Sequence, residues 1–349
     1  MKIAFLLPGR GRSGGVRCIA TVTRALQHRG HAVRVLCQQQ PTLRDWARSL
    51  RDRVWYRSAP DWLEQLGRGV ETFLDVRQCR FDADEVIVAV GMAMCAQLDS
   101  LAALPNPKLQ YLHGSVDPLL FRKAIRLPFP KVVVASYLKE MAEAEGNGEV
   151  LCVVHNGVDR KEYFGSVPET QRNGVGTIYS QDSAKDPQTI LSVLQRLREL
   201  RPELPIRVFG GDRRPRSIRP EWYWRYPTVE KARDIYSRSL VWVMASRSEG
   251  FSMPVLEAMA CGCAVVATDC GGPRDMIKDG ENGFLVNVGD VKGITERVQF
   301  LLENSDLRRQ IRENAQATVR GLSWENCVNK LEDALGEVVR GRPRAPSAR

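Results

Sequence analysis

Short apolar runs alternate with amphipathic helical patterns along almost the whole of this 349-residue chain. The first cycle of the pattern is a strand at Lys2–Pro8, a helix at Val16–Arg29 and a second strand at Ala32–Cys37. Gly30 stands where a residue that ends a helix in the left-handed conformation is expected. Strands that alternate with helices in this way predict parallel sheets whose strands are joined by crossover helices.

The alternation continues in two series that are separated by a segment of linker composition, Phe164–Gly176. Further strands are predicted at Asp84–Val90, Lys108–His113, Lys131–Ala135 and Val150–Val154 in the first series, and at Thr177–Tyr179, Ile206–Phe209, Leu240–Ala245, Ala264–Ala267 and Gly283–Val286 in the second. The clearest helix of the second series is Ile190–Arg201. The fold class is therefore α/β, with two doubly wound, Rossmann-like domains. Ligands of such sheets bind at the carboxyl ends of the strands, so a cleft between the two domains is the expected site.

The predicted boundaries are 1–165 for the first domain and 166–322 for the second. A C-terminal helix is predicted over 323–339, with Ser323 as its N-cap, followed by a disordered Arg- and Pro-rich tail over 340–349. The turn Asn156-Gly157 is read as structural, because Asn-Gly favours positive φ in a tight turn.

Composition indicates a soluble globular protein, with 43% hydrophobic and 26% charged residues and no apolar stretch long enough to span a membrane. The apolar run Ile3–Leu7 is too short for a signal peptide and is followed by arginines. Of the nine cysteines none forms a C-x-x-C pair, and no histidine has a spacing suited to zinc. A reducing cytoplasm is the expected location.

The net charge of +10 lies entirely in residues 1–60, which hold twelve Lys and Arg against two Asp. A basic first domain would attract anionic membranes or polyanions at low salt. Within it, the segment 43–56 would place Leu43, Trp46, Ala47, Leu50 and Val54 on one face of a helix. Two interpretations stay open, an ordinary helix packed on the sheet and a membrane-surface helix at the inner, anionic leaflet. No motif points to nucleic acid as a partner.

The stretch 246–275 carries the strongest chemical signal. Glu249 and Glu257 are separated by seven residues, among them the segment Phe251, Ser252, Met253 and Pro254, and Gly271-Gly272-Pro273 follows. Carboxylates accept hydrogen bonds from hydroxyl groups, and the N–H groups at a helix N-terminus bind anions. Together they predict a site for a nucleotide sugar.

This stretch resembles the acid-seven-acid signature of retaining glycosyltransferases of the GT-B fold, the large group 1 (family 4) type that includes sucrose synthases and bacterial lipopolysaccharide and mannosyl transferases. The resemblance implies that Glu249 and the loop from Phe251 to Pro254 hold the sugar and diphosphate of the donor. It implies that Glu257 binds the ribose hydroxyls. It also implies a C-terminal helix that crosses back to the first domain.

Two features of the first domain gain a role from the same resemblance. Gly14 and Gly15 lie between the first strand and the first helix, where glycine lets a backbone approach a phosphate. The resemblance implies that this loop contacts the donor diphosphate. His113 ends a predicted strand, and the resemblance implies that it faces the sugar and the leaving phosphate. From the residues alone, both the glycines and the histidine are equally compatible with purely structural roles.

The chain departs from the family at one position. Lys185 matches the family's diphosphate-binding lysine, but Ser180 stands where the family has an arginine five residues earlier. Loss of a guanidinium removes a bidentate phosphate clamp. Three alternatives follow, namely a substitute such as Arg213 or Arg214, a donor that is held differently, or an impaired enzyme.

The sequence thus predicts a retaining, metal-independent transferase of a hexosyl or deoxyhexosyl group, with no cofactor beyond the nucleoside diphosphate sugar that it uses as donor. The acceptor would be lipid-linked, a polysaccharide or a small molecule. His113, Glu249 and Lys185 are the candidate catalytic residues. Two alternatives are a sugar-nucleotide epimerase on the same fold and a non-catalytic, membrane-associated subunit.

Overall fold

The structure, a computed structural model, describes residues 1–38, 61–114 and 117–341. The chain divides into two compact units, a first unit of Met1–Asn156 with Trp324–Arg349 and a second unit of Gly157–Ser323. The predicted basic helix over 43–56, and all of the predicted tail beyond residue 341, lie outside the described residues.

The first unit is built on a seven-stranded sheet in which every described pairing is parallel. Its strands are β1 (Lys2–Leu7), β2 (Ala32–Gln38), β3 (Val70–Phe73), β4 (Glu85–Val90), β5 (Lys108–Leu112), β6 (Lys131–Val133) and β7 (Val150–Val153). Their order across the sheet is β3-β2-β1-β4-β5-β6-β7. The central strands β4 and β5 are buried along their whole length, as helices on both faces of a parallel sheet require.

The helices of the first unit are α1 (Gly14–His28), α2 (Gly91–Cys95), α3 (Pro118–Ile125) and α4 (Ser136–Glu145). Helix α1 begins two residues before the predicted Val16, because the Ser13 side chain caps it by accepting a hydrogen bond from the Val16 N–H at 3.3 Å. Gly14 and Gly15 are therefore the first turn of the helix and not part of the preceding loop. The predicted end is confirmed, since Gly30 has a φ of 87° just after the helix.

The second unit contains a six-stranded sheet with the order β10-β9-β8-β11-β12-β13, again parallel throughout. Its strands are β8 (Val175–Ile178), β9 (Ile206–Gly210), β10 (Tyr223–Arg225), β11 (Val241–Met244), β12 (Ala264–Thr268) and β13 (Phe284–Val286). Its helices are α5 (Pro187–Leu200), α6 (Val229–Arg238), α7 (Met253–Ala260), α8 (Val291–Glu303) and α9 (Ser305–Gly321). In the described parts of the chain, no helix combines the length and the apolar character that crossing a bilayer demands.

Two strands, β3 and β10, were not predicted. Both lie at sheet edges and pair with a single neighbour, β3 with β2 and β10 with β9. An edge strand is short and is not covered on all sides, so its sequence need not be an apolar run. The four residues of β3 include Glu71 and Thr72.

The prediction of a linker over Phe164–Gly176 is wrong, because this segment packs on the second unit and its end forms β8. Arg172 is buried and donates hydrogen bonds to the carbonyl oxygens of Gly262 and Cys261 at 2.7 and 2.6 Å. The Ser166 N–H donates to Ser237 Oγ. The boundary consequently falls after Asn156 and not after residue 165.

Asn156-Gly157 is not the positive-φ turn that was predicted, since neither residue has a positive φ. Asn156 is buried, and its side-chain carbonyl accepts a hydrogen bond from Cys18 Sγ at 3.0 Å. That tertiary contact fixes the side chain of Asn156, so the turn propensity of Asn-Gly is overridden by tertiary structure.

The C-terminal helix α10 (Trp324–Arg340) belongs to the first unit, as the resemblance implied. Its buried side chains include Val328 and Leu331. At its surface Glu332 accepts hydrogen bonds from Arg29 Nη1 at 2.5 Å and from His31 Nε2 at 2.6 Å. These contacts anchor the helix to α1 and to the loop that precedes β2.

Candidate functional site

The order of the second sheet defines where a ligand would bind. The chain leaves β8 towards β9 on one side, and β11 lies on the other side, so the sheet changes direction between β8 and β11. The connections that follow these two strands run away from each other and leave a crevice at the carboxyl edge, the general ligand position of open α/β sheets. The predicted residues Lys185 and Glu249 follow β8 and β11, respectively.

The two loops at this crevice are joined by hydrogen bonds. Lys185 Nζ lies 2.7 Å from Glu249 Oε1, and Ser246 Oγ donates to the same oxygen at 2.7 Å. The Arg247 N–H donates to the Ala184 carbonyl at 2.8 Å. Glu249 is only 5% exposed, whereas the Lys185 side chain is 28% exposed. The structure thus brings the two predicted residues together, with the carboxylate inside and the ammonium group at the surface.

The segment from Phe251 to Pro254 forms the entry to α7. Ser252 is the N-cap residue, in the left-handed conformation with φ 77°, and Met253 and Pro254 open the helix. Ser252 is 4% exposed, and its buried Oγ has no hydrogen-bond partner among the described residues. Pro254 has no N–H, and the Val255 N–H donates to the Ser252 carbonyl at 3.1 Å, so the Met253 N–H and the Ser252 hydroxyl group are the donors that this helix start offers to an anion.

The turn Gly271–Gly272 packs against the backbone of the segment that leads into α7. The Gly272 N–H donates to the Glu249 carbonyl at 3.0 Å, and a Cβ atom at position 272 would lie 2.4 Å from the Cα of Phe251. Only glycine permits so close an approach of the two backbones. The glycines of the motif therefore hold the loop that carries Glu249.

Glu257 lies one turn inside α7 and is buried. Its Oε2 accepts a hydrogen bond from the hydroxyl group of Tyr236 at 3.0 Å. Burial, together with the Glu257 charge, raises the pKa of Tyr236 well above its ordinary value, so the tyrosine remains a donor. Binding of ribose hydroxyls by Glu257 stays a prediction.

In the first unit, His113 follows β5 and adjoins the start of α1. Its ring packs edge-on against Tyr111 with centroids 4.3 Å apart, and a Cβ atom at Gly15 would lie 3.9 Å from its Nδ1. Its Nε2 is shielded from solvent and has no partner among the described residues. Burial lowers the pKa of His113 from 6.5 to about 4, so the imidazole is neutral at pH 7. The predicted Gly15 and His113 are thus neighbours, and Gly14 begins the same helix.

The sequence of the second unit matches the family model described as glycosyl transferases group 1, over residues 159–318. An uncharacterized glycosyltransferase of Methanocaldococcus jannaschii is 40% identical over 96 residues, which are 28% of this chain and 27% of that protein. A D-inositol 3-phosphate glycosyltransferase of Corynebacterium urealyticum is 29% identical over 189 residues, 49% of this chain and 44% of that protein. The matched part therefore spans from about a quarter to less than half of the length of these relatives.

Solved structures extend the likeness to the whole fold. Anabaena HepE in complex with UDP has a TM-score of 0.73 at 18% identity, covering 97% of this chain and all of that one. Sucrose-phosphate synthase from Thermosynechococcus elongatus has a TM-score of 0.71 at 14% identity, with the same coverage. The chain has the GT-B fold, with two Rossmann-like domains of parallel sheets.

Ser180, the departure from the group 1 pattern, is engaged in a turn of its own. Its hydroxyl group donates to Asp212 Oδ2 at 3.0 Å, and the Gln181 N–H donates to the same oxygen at 2.8 Å. Arg214, one of the two expected substitutes, donates hydrogen bonds to the carbonyl groups of Pro215 and Ile218 within its own loop. Arg213 is exposed. In the described second unit, neither arginine forms a hydrogen bond or ion pair with Ser180.

Sequence reasoning missed Ser246, Arg247 and Asp186. Arg247 Nε lies 3.0 Å from Asp186 Oδ2, and Asp186 follows Lys185 directly. The signal was available, since Arg247 stands two residues before Glu249 within the group 1 motif, but an arginine at a loop is usually a solvated surface residue.

Proposed function

We propose that this chain is a retaining glycosyltransferase that transfers a sugar from a nucleoside diphosphate sugar to an acceptor bound by the first unit. The observation that carries the proposal is the Lys185–Glu249 pair, at the carboxyl edge where the sheet of a group 1 domain changes direction. The names of the HepE structures, which hold UDP and UDP-glucose, support a nucleotide sugar as the donor class.

In the proposed reaction, an oxygen of an acceptor hydroxyl group forms a bond to the anomeric carbon while the bond from that carbon to the diphosphate breaks. Retention follows if the acceptor attacks from the face that the diphosphate leaves, and the departing phosphate oxygen takes the proton. Lys185, the Met253 N–H and the positive end of the α7 dipole stabilise the negative charge that develops on the diphosphate. No metal ion is needed in this scheme.

Glu249 and His113 act on the sugar side in the same proposal. Glu249 is already charge-paired and accepts a hydrogen bond from Ser246, so it serves as a fixed acceptor for a sugar hydroxyl group and not as a nucleophile. His113 is neutral at pH 7 and therefore offers a hydrogen bond without adding a positive charge. Two carboxylates used for recognition differ from the acid–base pair of glycoside hydrolases.

A thermal-shift screen with UDP, GDP, ADP and dTDP sugars tests the donor class, since a ligand that binds the native state alone raises its apparent stability. We expect the sugars of one nucleoside diphosphate to raise the midpoint of thermal unfolding clearly. In a product analysis by NMR, we expect the anomeric configuration of the transferred sugar to equal that of the donor. Turnover that survives EDTA is the expected result for a metal-independent reaction.

The same experiments separate the alternatives. A donor that is epimerised without any acceptor would favour the epimerase, and no shift with any nucleotide sugar would favour a non-catalytic subunit.

We also propose peripheral contact of the first unit with an anionic membrane, at the inner face in a cytoplasmic setting. Helix α3 exposes Leu119 to 79% beside the exposed basic residues Arg122, Lys123 and Arg126. An apolar side chain flanked by cations is suited to an anionic bilayer surface. Co-sedimentation with vesicles of anionic phospholipid should weaken when salt is added and when Leu119 is replaced, as in Leu119→Ser. Vesicle binding that is unchanged by both would refute the contact.

A further inference from the structure

Two ion pairs cross each other between the loops that follow β8 and β11. Lys185 reaches from the first loop to Glu249 in the second, and Arg247 reaches from the second loop to Asp186 in the first. Both carboxylates are buried, and both cations are at the surface. Each of the two loops that follow β8 and β11 therefore carries one cation that is paired with a buried carboxylate of the other loop.

Arg247 is held by one nitrogen only. Its Nε contacts Asp186 Oδ2 at 3.0 Å, whereas its two terminal nitrogens donate to no residue in the described part of the chain. The side chain is 59% exposed. A guanidinium group fixed in this way presents its remaining N–H donors to the solvent at the crevice, in a planar fork that matches two phosphate oxygens.

Asp186, which pairs with this arginine, is itself fixed by its position at the start of α5. It lies in the left-handed conformation with φ 46° and caps α5, accepting hydrogen bonds from Thr189 N–H at 3.3 Å and from Thr189 Oγ1 at 2.8 Å. Its carboxylate position is therefore set by the helix and not by Arg247. Because less freedom remains to be lost, a guanidinium held by such a carboxylate binds a further anion at lower entropic cost.

We propose that Arg247 binds the diphosphate of the donor together with Lys185. The inference rests on the proposed function, and it supplies the guanidinium group that Ser180 cannot provide. Lys185 offers a compact charge and Arg247 a bidentate fork, and the start of α7 adds backbone donors to the same anion.

The test compares Asp186→Asn with the double variant Asp186→Asn/Arg247→Ala. Asparagine keeps the helix cap and tolerates the left-handed conformation, and it removes the buried charge that Arg247→Ala alone would leave unpaired. Calorimetry with UDP, GDP, ADP and dTDP should show a further loss of affinity of about 10- to 100-fold in the double variant. The affinity for the corresponding nucleosides should be the same in both, and Arg247→Lys should recover part of the diphosphate affinity.

Arg238→Ala is the matched control, because Arg238 is also a half-exposed arginine paired with one carboxylate, Asp234, at 2.7 Å. Equal diphosphate affinity of the wild-type protein and the double variant would overturn the role of Arg247 while the proposed function stands. An equal loss for nucleoside and diphosphate would overturn it as well. If the wild-type protein bound none of the four diphosphates, the proposed function itself would fall and the inference with it.

Discussion

Among the individual residues, the Lys185–Glu249 pair is the basis of the proposed donor site in the second unit. The buried carboxylate of Glu249 accepts a hydrogen bond from the ammonium group of Lys185, so the pair uses one of the three ammonium N–H groups. His113 in the first unit is the opposite case, a shielded imidazole that is kept neutral. The surroundings of His113 set its charge state, and the Lys185–Glu249 pair and His113 each have a specific test.

We expect Lys185→Ala and Glu249→Ala each to lower kcat/KM by about a hundredfold or more, because each removes a charge that contacts the donor in the proposed reaction. Release of the nucleoside diphosphate from the donor sugar is the measurement. Lys292→Ala is the control, since Lys292 is an exposed lysine paired with Glu296 on α8. Near-normal turnover of both site variants would show that the pair is not the donor site.

The stability of the protein should depend on His113 below pH 6.5. The folded-state pKa of about 4 lies below the ordinary 6.5, so the unfolded chain takes up the proton first and stability is lost as the pH falls from 6.5 towards 4. Between pH 7 and pH 4.5 the wild-type protein should lose about 2 kcal/mol of unfolding free energy more than His113→Gln. Urea titrations at the two pH values give the difference, with His28→Gln as an exposed control. Identical pH dependence of wild type and His113→Gln would contradict the burial of the imidazole.

Among the elements, the turn from β11 into α7 carries most of the proposed donor site, and the Gly271–Gly272 turn packs against it. The backbone of Gly272 touches that of Phe251, and its N–H binds the Glu249 carbonyl. The geometry of the loop from Glu249 to Phe251 consequently depends on Gly272.

Gly272→Ala should displace the loop and lower kcat/KM by about 100-fold, because a Cβ atom would lie 2.4 Å from the Cα of Phe251 and 2.6 Å from the Gly250 carbonyl oxygen. Gly321→Ala is the control, since no atom lies within 4 Å of a Cβ there. A Gly272→Ala protein with wild-type turnover would show that the loop does not need this support.

The buried strands and the motif could be predicted from the sequence because both are local patterns. A fully buried parallel strand such as β12 is an almost entirely apolar run. The edge strands β3 and β10 are not buried on all sides, so they need not be apolar. The segment from Phe164 was wrongly predicted to be a linker, because its polar sequence is held by a hydrogen bond from Arg172 to the Gly262 carbonyl, 90 residues away. The ion pair of Arg247 with Asp186 was missed for the same reason, because an ion pair between two loops produces no periodic pattern in the sequence.

For the whole molecule, the GT-B fold supplies two units with parallel sheets, and the motif, Lys185 and Arg247 all lie in the second. The candidate residues Gly14, Gly15 and His113 lie in the first, together with the C-terminal helix. The second unit therefore carries the donor diphosphate in this account, and the first unit contributes to the sugar and the acceptor.

Calorimetric titration of UDP, GDP, ADP and dTDP into the wild-type protein and into Lys185→Ala tests the central claim most directly. The account predicts that at least one diphosphate binds the wild-type protein and binds Lys185→Ala about tenfold or more weakly, because a charge-assisted hydrogen bond to phosphate is lost. Absence of binding by all four diphosphates, or equal affinity of the two proteins, would contradict it.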